Sequence, residues 1–418
     1  MSQYGEKVFI FFAVTVWQAT CLAEDWPTWR GPSGNGISSK TDVPTSWDEE
    51  SNIRWKVPLP GGSNSSPVVH SGRVFVTAPD EDGSLRRLVA FDRRNGERLW
   101  QQTVTFEGRE SRHSTNPPCS ASPVTDGEVV CASFGSAGLI ACILDGQRLW
   151  HKDLGRFDHV FGNASSPILY RNLCILWCGP GPRQFVVAVD KQSGREVWRH
   201  DVPGGKRDFD APSDCVGSWA TPLLASVEEQ NRLISNAQEW LICLDPKNGK
   251  RLWVSRGPGK LAYASLVAWK GTVVAMSGYH GPIVAVKATG RGDVTKTHRV
   301  WQRVDRQPQR IGTGLVLEGK LYCVTEIGVA ECFDIETGRL LDKSRSRLTG
   351  QTWSSLVYAD GNFYLSSLGG VTTVFAAEGG YKVLSRNRLR DRIAASPAIS
   401  DGEIFLRGHA NLYCIGTP

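Results

Sequence analysis

The stretch from Ser165 to Trp198, SSPILYRNLCILWCGPGPRQFVVAVDKQSGREVW, constrains what this chain can fold into more than any other part of it. Small residues (Ser165, Ser166, Pro167) open a first apolar run, and Tyr170-Arg171-Asn172 turns it into a second, Leu173 to Cys178. A Gly/Pro loop leads to a third run, Phe185 to Val189. Asp190 to Gly194 then supplies a hairpin whose glycine accepts positive φ, and Glu196-Val197-Trp198 begins a fourth strand. No window carries helical periodicity, so the unit reads as a four-stranded antiparallel meander. Such a unit cannot bury its apolar faces alone and must stack on copies of itself.

Copies are present. Unit openings read Ser65-Ser66-Pro67, Ser120-Ala121-Ser122-Pro123, Ser165-Ser166-Pro167, Ala220-Thr221-Pro222, Ala264-Ser265-Leu266, Thr313-Gly314-Leu315, Ser354-Ser355-Leu356 and Ala395-Ser396-Pro397, eight in all. Fourth strands carry Trp100, Trp150, Trp198 and Trp253, each four residues after a hairpin glycine, and a longer connection precedes Trp301. The sixth unit places Asp342, and the seventh Leu384, where Trp is expected. The eighth stops at Leu412-Tyr413-Cys414-Ile415 without a fourth strand, while Asn52 to Val57, with Trp55, is a fourth strand with no unit before it. Pairing these remnants closes a ring and covers both free sheet edges. The pattern predicts an all-β, eight-bladed β-propeller of four-stranded antiparallel blades over residues 52–418, closed by an N-terminal strand. Trp55, Trp100, Trp150, Trp198, Trp253 and Trp301 are its expected docking residues. Forty-four Gly and 15 Trp against two Met fit tight turns and aromatic plugs better than packed helices.

The segments LVAFDRRNGERLW (88–100), VVAVDKQSGREVW (186–198) and LICLDPKNGKRLW (241–253) resemble the tryptophan-docking repeat of PQQ-type propellers, roughly Ala-x-Asp-x-x-Thr-Gly-x-x-x-Trp. The resemblance spans about residues 52–416 and covers two branches: quinoprotein alcohol dehydrogenases, and non-catalytic propellers similar to BamB, the assembly factor for outer-membrane proteins. The catalytic branch implies PQQ with calcium, an Asp base, Arg near the quinone and a disulfide between adjacent cysteines. No two cysteines here are adjacent, and no Cys-x-x-Cys-His haem motif occurs. The resemblance therefore implies a protein-binding platform with no cofactor. A PQQ-dependent alcohol or sugar dehydrogenase is the alternative.

Lys7, the apolar run Val8 to Trp17 and the small residues at Cys21-Leu22-Ala23 read as an export signal over residues 1–23, and the run is too short to span a bilayer. Gln18-Ala19-Thr20 makes a poor lipobox for lipidation at Cys21. Residues 24–51 then read as a lead packed on the outside of the ring, with Trp26 and Trp29 as surface anchors. Export places the protein in the periplasm or outside the cell, where its remaining cysteines meet oxidising conditions. A turn over Gly135 to Gly138 sets Cys131 opposite Cys142, and one at Ile327-Gly328 sets Cys323 opposite Cys332. Either pair suits a cross-strand disulfide or small buried thiols. Cys142, Cys243, Cys332 and Cys414 occupy the third-strand position held elsewhere by Ala90, Ala188 and Ala285, and no metal-type Cys/His spacing appears.

Short turns lie at one end of the strands and long irregular loops at the other, where repeat proteins concentrate function. On that face Arg112, His113, Arg310 and Arg392 form an expected anion-binding mouth, with Asn64, Asn163, Trp219, Tyr263 and Trp353 as polar or stacking partners. His280 and His409 share the face. Asp208, Asp210 and Asp214 share one loop without EF-hand spacing, so no metal site is predicted. The expected partner is a protein of the cell envelope, with an acidic glycan as a lesser possibility. The net charge of +6 does not point to nucleic acid in an exported chain.

Overall fold

The computed structural model describes residues 24–202, 216–304 and 307–417. Eight blades of four antiparallel strands follow one another around a central channel, each with its first strand innermost, and blade 4 adds a short parallel strand, Gly292–Asp293. The archetypal unit forms blade 3 from Ile168–Tyr170, Leu173–Cys178, Gln184–Asp190 and Glu196–Val202. In blade 8 the N-terminal strand Ile53–Pro58 pairs antiparallel with Asn411–Ile415, Trp55 facing Cys414. First and last strands thus share one sheet, which completes blade 8 to four strands and closes the ring.

All eight blades carry a bulge near the start of the outer strand. In blade 3 it skips Val197 and sets Trp198 opposite Ala188. The indole then reaches the hairpin of the next blade, donates from Nε1 to Pro246 O at 3.1 Å, and lies flat on Gly249 (φ +69°), where a Cβ would strike the ring. Trp55, Trp100, Trp150 and Trp301 repeat the arrangement on Gly96, Gly146, Gly194 and Gly338, and Trp253 donates to Ala288 O at 3.1 Å. Strand register corrects one assignment. In blade 7 the bulge falls at Leu384, so the residue in the Trp position is Ser385, not Leu384. Small residues face these positions: Ala90, Ala141, Ala188, Ala285, Cys243, Cys332 and Cys414, with Ala141 in the place expected for Cys142.

The two expected cysteine pairs also shift by one residue. Ser133 pairs with Leu139 and Val324 with Ala330, so each register is displaced by one residue from the one read from sequence. Cys131 therefore faces Ala141, and Cys323 faces Glu331. A one-residue slip sends a side chain to the opposite face of the sheet. Cys131 packs in the core between blades 2 and 3 while Cys142 packs between blades 1 and 2, and Cys323 and Cys332 are parted in the same way. The nine described cysteines are buried free thiols.

The lead does more than cover the outside. Trp26 bridges Val69 of blade 1, Pro27 accepts from Thr125 of blade 2, and Ile37 bridges Tyr358 of blade 7, so the segment crosses the turn-side end of the channel. Arg30 anchors it there, donating to Leu356 O and Gly314 O, both at 2.7 Å. Burial lowers the Arg30 pKa to about 9, which leaves it charged at neutral pH.

Candidate functional site

Where the inner strands begin, the small-residue openings turn into a closed circuit. The backbone N–H of Ser66 donates to the Ser122 hydroxyl, Ser122 to Ser166, Ser166 to Thr221, Thr221 to Ser265, Ser265 to Thr313, Thr313 to Ser355, Ser355 to Ser396, and Ser396 back to Ser66, at 2.8–3.0 Å. An inner strand has no neighbour on its channel side, so its first N–H groups would be orphaned, and the hydroxyl of the next blade supplies the acceptor. Ser or Thr in all eight openings is thereby explained.

These hydroxyls form the lower tier of a central cavity of about 360 Å³ that opens on the irregular-loop face. Side chains two residues earlier point the same way along an extended strand and form an upper tier. Around the ring it reads Asn64, Ser120, Ala164, Trp219, Tyr263, Ile311, Trp353 and Ala394, all lining the cavity. Aromatic plates on blades 4, 5 and 7 thus face small residues on blades 2, 3 and 8. Trp219 is held by an Nε1 bond to Gly162 O at 2.8 Å and by tilted contact with Tyr263, ring centroids 5.3 Å apart. Phe161 and His159 meet Trp219 edge-on, and the Tyr263 ring lies against Gly278, where no Cβ would fit. Trp29 of the lead also lines this cavity, as well as the grooves of the opposite face, so its indole stands between the two.

The charges expected at the mouth are placed differently. Arg310 is fully buried and ion-paired with Glu331, turned away from the channel. Arg112 is exposed beside a smaller crevice and donates to Asp82 O at 3.2 Å. Asn163 lies in the same crevice, on Glu110, which pairs with buried Arg86 at 2.7 Å. Arg392 stacks on Trp353 with its guanidinium 5.7 Å from the ring centroid. Of the expected set, Asn64, His113, Trp219, Tyr263 and Trp353 line the cavity. The expected anion-binding mouth is therefore not assembled there, because a buried carboxylate on the third strand of blade 6 captures Arg310.

His159 and His409 add no positive charge at neutral pH. Burial lowers His159 to about 4, and its Nδ1 accepts from the Phe161 N–H at 3.2 Å. His409 is lowered to about 4 by burial and by Arg392 and Arg407, and its ring shares a 3.2 Å bond with Asn64 Oδ1. Glu326 brings the one carboxylate among the described lining residues, fixed by Gln351 Nε2 at 2.6 Å. Sequence reasoning missed Glu326, Trp29 and Phe161. The signal for the upper tier was legible, since each member stands two residues before an opening hydroxyl. Asp208, Asp210 and Asp214 lie outside the described residues, and no group of three or more metal-ligating side chains occurs among the described ones.

The family model described as outer membrane protein assembly factor BamB matches residues 15–178 and 182–313, well over half the chain. The chain belongs to that family of PQQ-like propellers. Solved propellers of both branches share its fold. BamB from Moraxella catarrhalis superposes with a TM-score of 0.61 at 14% identity, covering 87% of this chain and 97% of that one. A europium-containing methanol dehydrogenase superposes with a TM-score of 0.71 at 12% identity, covering 94% and 98%. A curated relative, quinohemoprotein alcohol dehydrogenase ADH-IIG of Pseudomonas putida, is 26% identical over 162 residues. That match takes in 36% of this chain and only 21% of the dehydrogenase's length.

Proposed function

We propose that this PQQ-like propeller is an exported, non-catalytic platform whose irregular-loop face holds a protein partner of the cell envelope. One observation carries the reading. Among the described residues, and apart from Val160, the large apolar side chains left exposed on that face gather on blades 5 and 6: Tyr279, 57% exposed, Val304, 76%, and Ile327, 48%. They form one rim. The segment between the two blades ties the Tyr279 loop to the Ile327 loop, with His280 Nδ1 bonded to Gln307 O and the Glu326 N–H to Gln309 O, both at 2.8 Å. Exposed apolar side chains rimmed by polar groups mark surfaces that another protein covers. Membership in a family described as an assembly factor supports the same reading.

The dehydrogenase reading asks the cavity to hold PQQ, a tricarboxylate, with calcium. The described lining residues bring one carboxylate and no Arg or Lys, while Arg310 is paired with Glu331. That donor set does not fit an anionic quinone.

A photo-cross-linking residue placed at Ile327 tests the platform. A discrete envelope protein should be captured there, lost on Tyr279→Arg, and not captured from Leu99 on an outer strand. Equal capture at both positions refutes the reading, as does calcium-dependent PQQ binding with alcohol-driven dye reduction.

A further inference from the structure

We infer that the central cavity binds a neutral pyranose unit of a glycan, an occupancy independent of any protein held at the rim. A hydroxyl offers one O–H donor and two acceptor lone pairs. Each of the eight lower-tier hydroxyls spends one lone pair on a backbone N–H, and among the described residues none of their O–H groups is given an acceptor. All eight residues are more than nine-tenths buried, so their donors converge on a shielded floor that a ligand rich in oxygen acceptors would satisfy.

The upper tier sets the rest of the chemistry. Trp219, Tyr263 and Trp353 present flat apolar faces on one side, suited to the C–H face of a sugar ring, and Ala164 and Ala394 leave space opposite. Trp353 Nε1 is buried without a partner, a further donor. Asn64 and Glu326 add acceptors at the mouth. An anionic sugar would meet Glu326 with no Arg or Lys among the described lining residues to offset it, and burying an unpaired charge is costly. A quaternary ammonium would suit the aromatic faces but would meet the positive ends of the hydroxyl dipoles. Sugar hydroxyls both donate and accept, and satisfy floor and mouth together. The cavity, at about 360 Å³, lies in the size range of small-molecule sites.

Saturation-transfer NMR and tryptophan-emission titrations of the purified protein with maltotriose, cellotriose and triacetylchitotriose test this, with choline and benzene-1,3,5-tricarboxylate as cationic and anionic counterparts. At least one trisaccharide should receive saturation, weaken about tenfold or more with Trp353→Leu or Tyr263→Leu, and weaken less with Glu326→Gln. Trp353 is only half-buried at the rim, so its variant decides alone if Tyr263→Leu does not fold. The inference is overturned if no trisaccharide receives saturation, if binding persists unchanged in the Trp353 variant, or if choline or the tricarboxylate binds more tightly than every sugar. Capture at Ile327 reports on the rim whatever the sugars do.

Discussion

Replacing Trp198 by alanine tests the account of how the blades hold together. Its side chain is 7% exposed, wedged between blade 3 and the Gly249 hairpin of blade 4. Removing the indole returns about 160 Å² of largely apolar surface to a cavity or to water, which at about 25 cal/mol per Å² is about 4 kcal/mol. That agrees with the range of about 3–5 kcal/mol for Trp→Ala in packed cores. The lost bond to Pro246 O adds less than about 1 kcal/mol, because a carbonyl at the blade rim regains water. With an unfolding entropy of about 2.1 cal/mol/K per residue over 418 residues, the melting temperature should fall by about 5 °C. Calorimetry on Trp198→Ala, with Val197→Ala as control, measures it. Val197 sits in the bulge, 41% exposed, and its truncation should cost no more than about 0.5 kcal/mol. A drop below about 1 °C in Trp198→Ala, or equal drops in both variants, would refute the docking argument.

Further consequences concern charge, the hydroxyl circuit and pH. Arg310→Ala leaves buried Glu331 with only the half-exposed Lys343, 3.3 Å away, and should cost about 3 kcal/mol in chemical denaturation, whereas Arg112→Ala, at an exposed site, should change stability by less than about 0.5 kcal/mol. Ser396→Ala removes the acceptor of the Ser355 N–H and should cost about 1–3 kcal/mol, while Ser396→Thr keeps the hydroxyl and most of the stability. His159 has a folded pKa of about 4, below its unfolded value of about 6.5. Above pH 6.5 both states are neutral. Between pH 6.5 and 4 the unfolded chain takes up a proton that the native state refuses, so stability should fall on acidification by up to about 1.4 kcal/mol per pH unit. Below about 4 the contribution is flat. Melting curves at pH 7.5 and 5 should converge in His159→Asn relative to the wild-type protein.

The ring was legible because its determinants repeat. Opening hydroxyls, hairpin glycines and docking Trp recur at set intervals, and the missing outer strand of blade 8 had a visible counterpart at Trp55. Features that depend on one loop or one long-range partner were hidden. A one-residue displacement of register separated Cys131 from Cys142. The capture of Arg310 by Glu331 depends on which face of the blade 6 strand the carboxylate takes, which follows from that blade's register. Trp29 carries no periodic signal, since its position comes from the bridges at Trp26 and Ile37 on either side of it.

The two tiers of the cavity separate stability from recognition by the same logic. Every lower-tier position is Ser or Thr, as it must be if each blade is to satisfy the inner strand of its neighbour, so no blade is free to vary there. Two residues away nothing in the blade geometry demands a particular side chain, and the chain places Asn, Ser, Ala, Trp, Tyr, Ile, Trp and Ala. Three aromatics gathered on blades 4, 5 and 7, against small residues elsewhere, give the cavity a hard wall and an open side. Variation that the fold does not require, laid on a circuit that it does, is where binding chemistry belongs. A substitution such as Trp353→Leu should therefore alter what the cavity binds while leaving the melting temperature within about 1 °C, the opposite of Trp198→Ala.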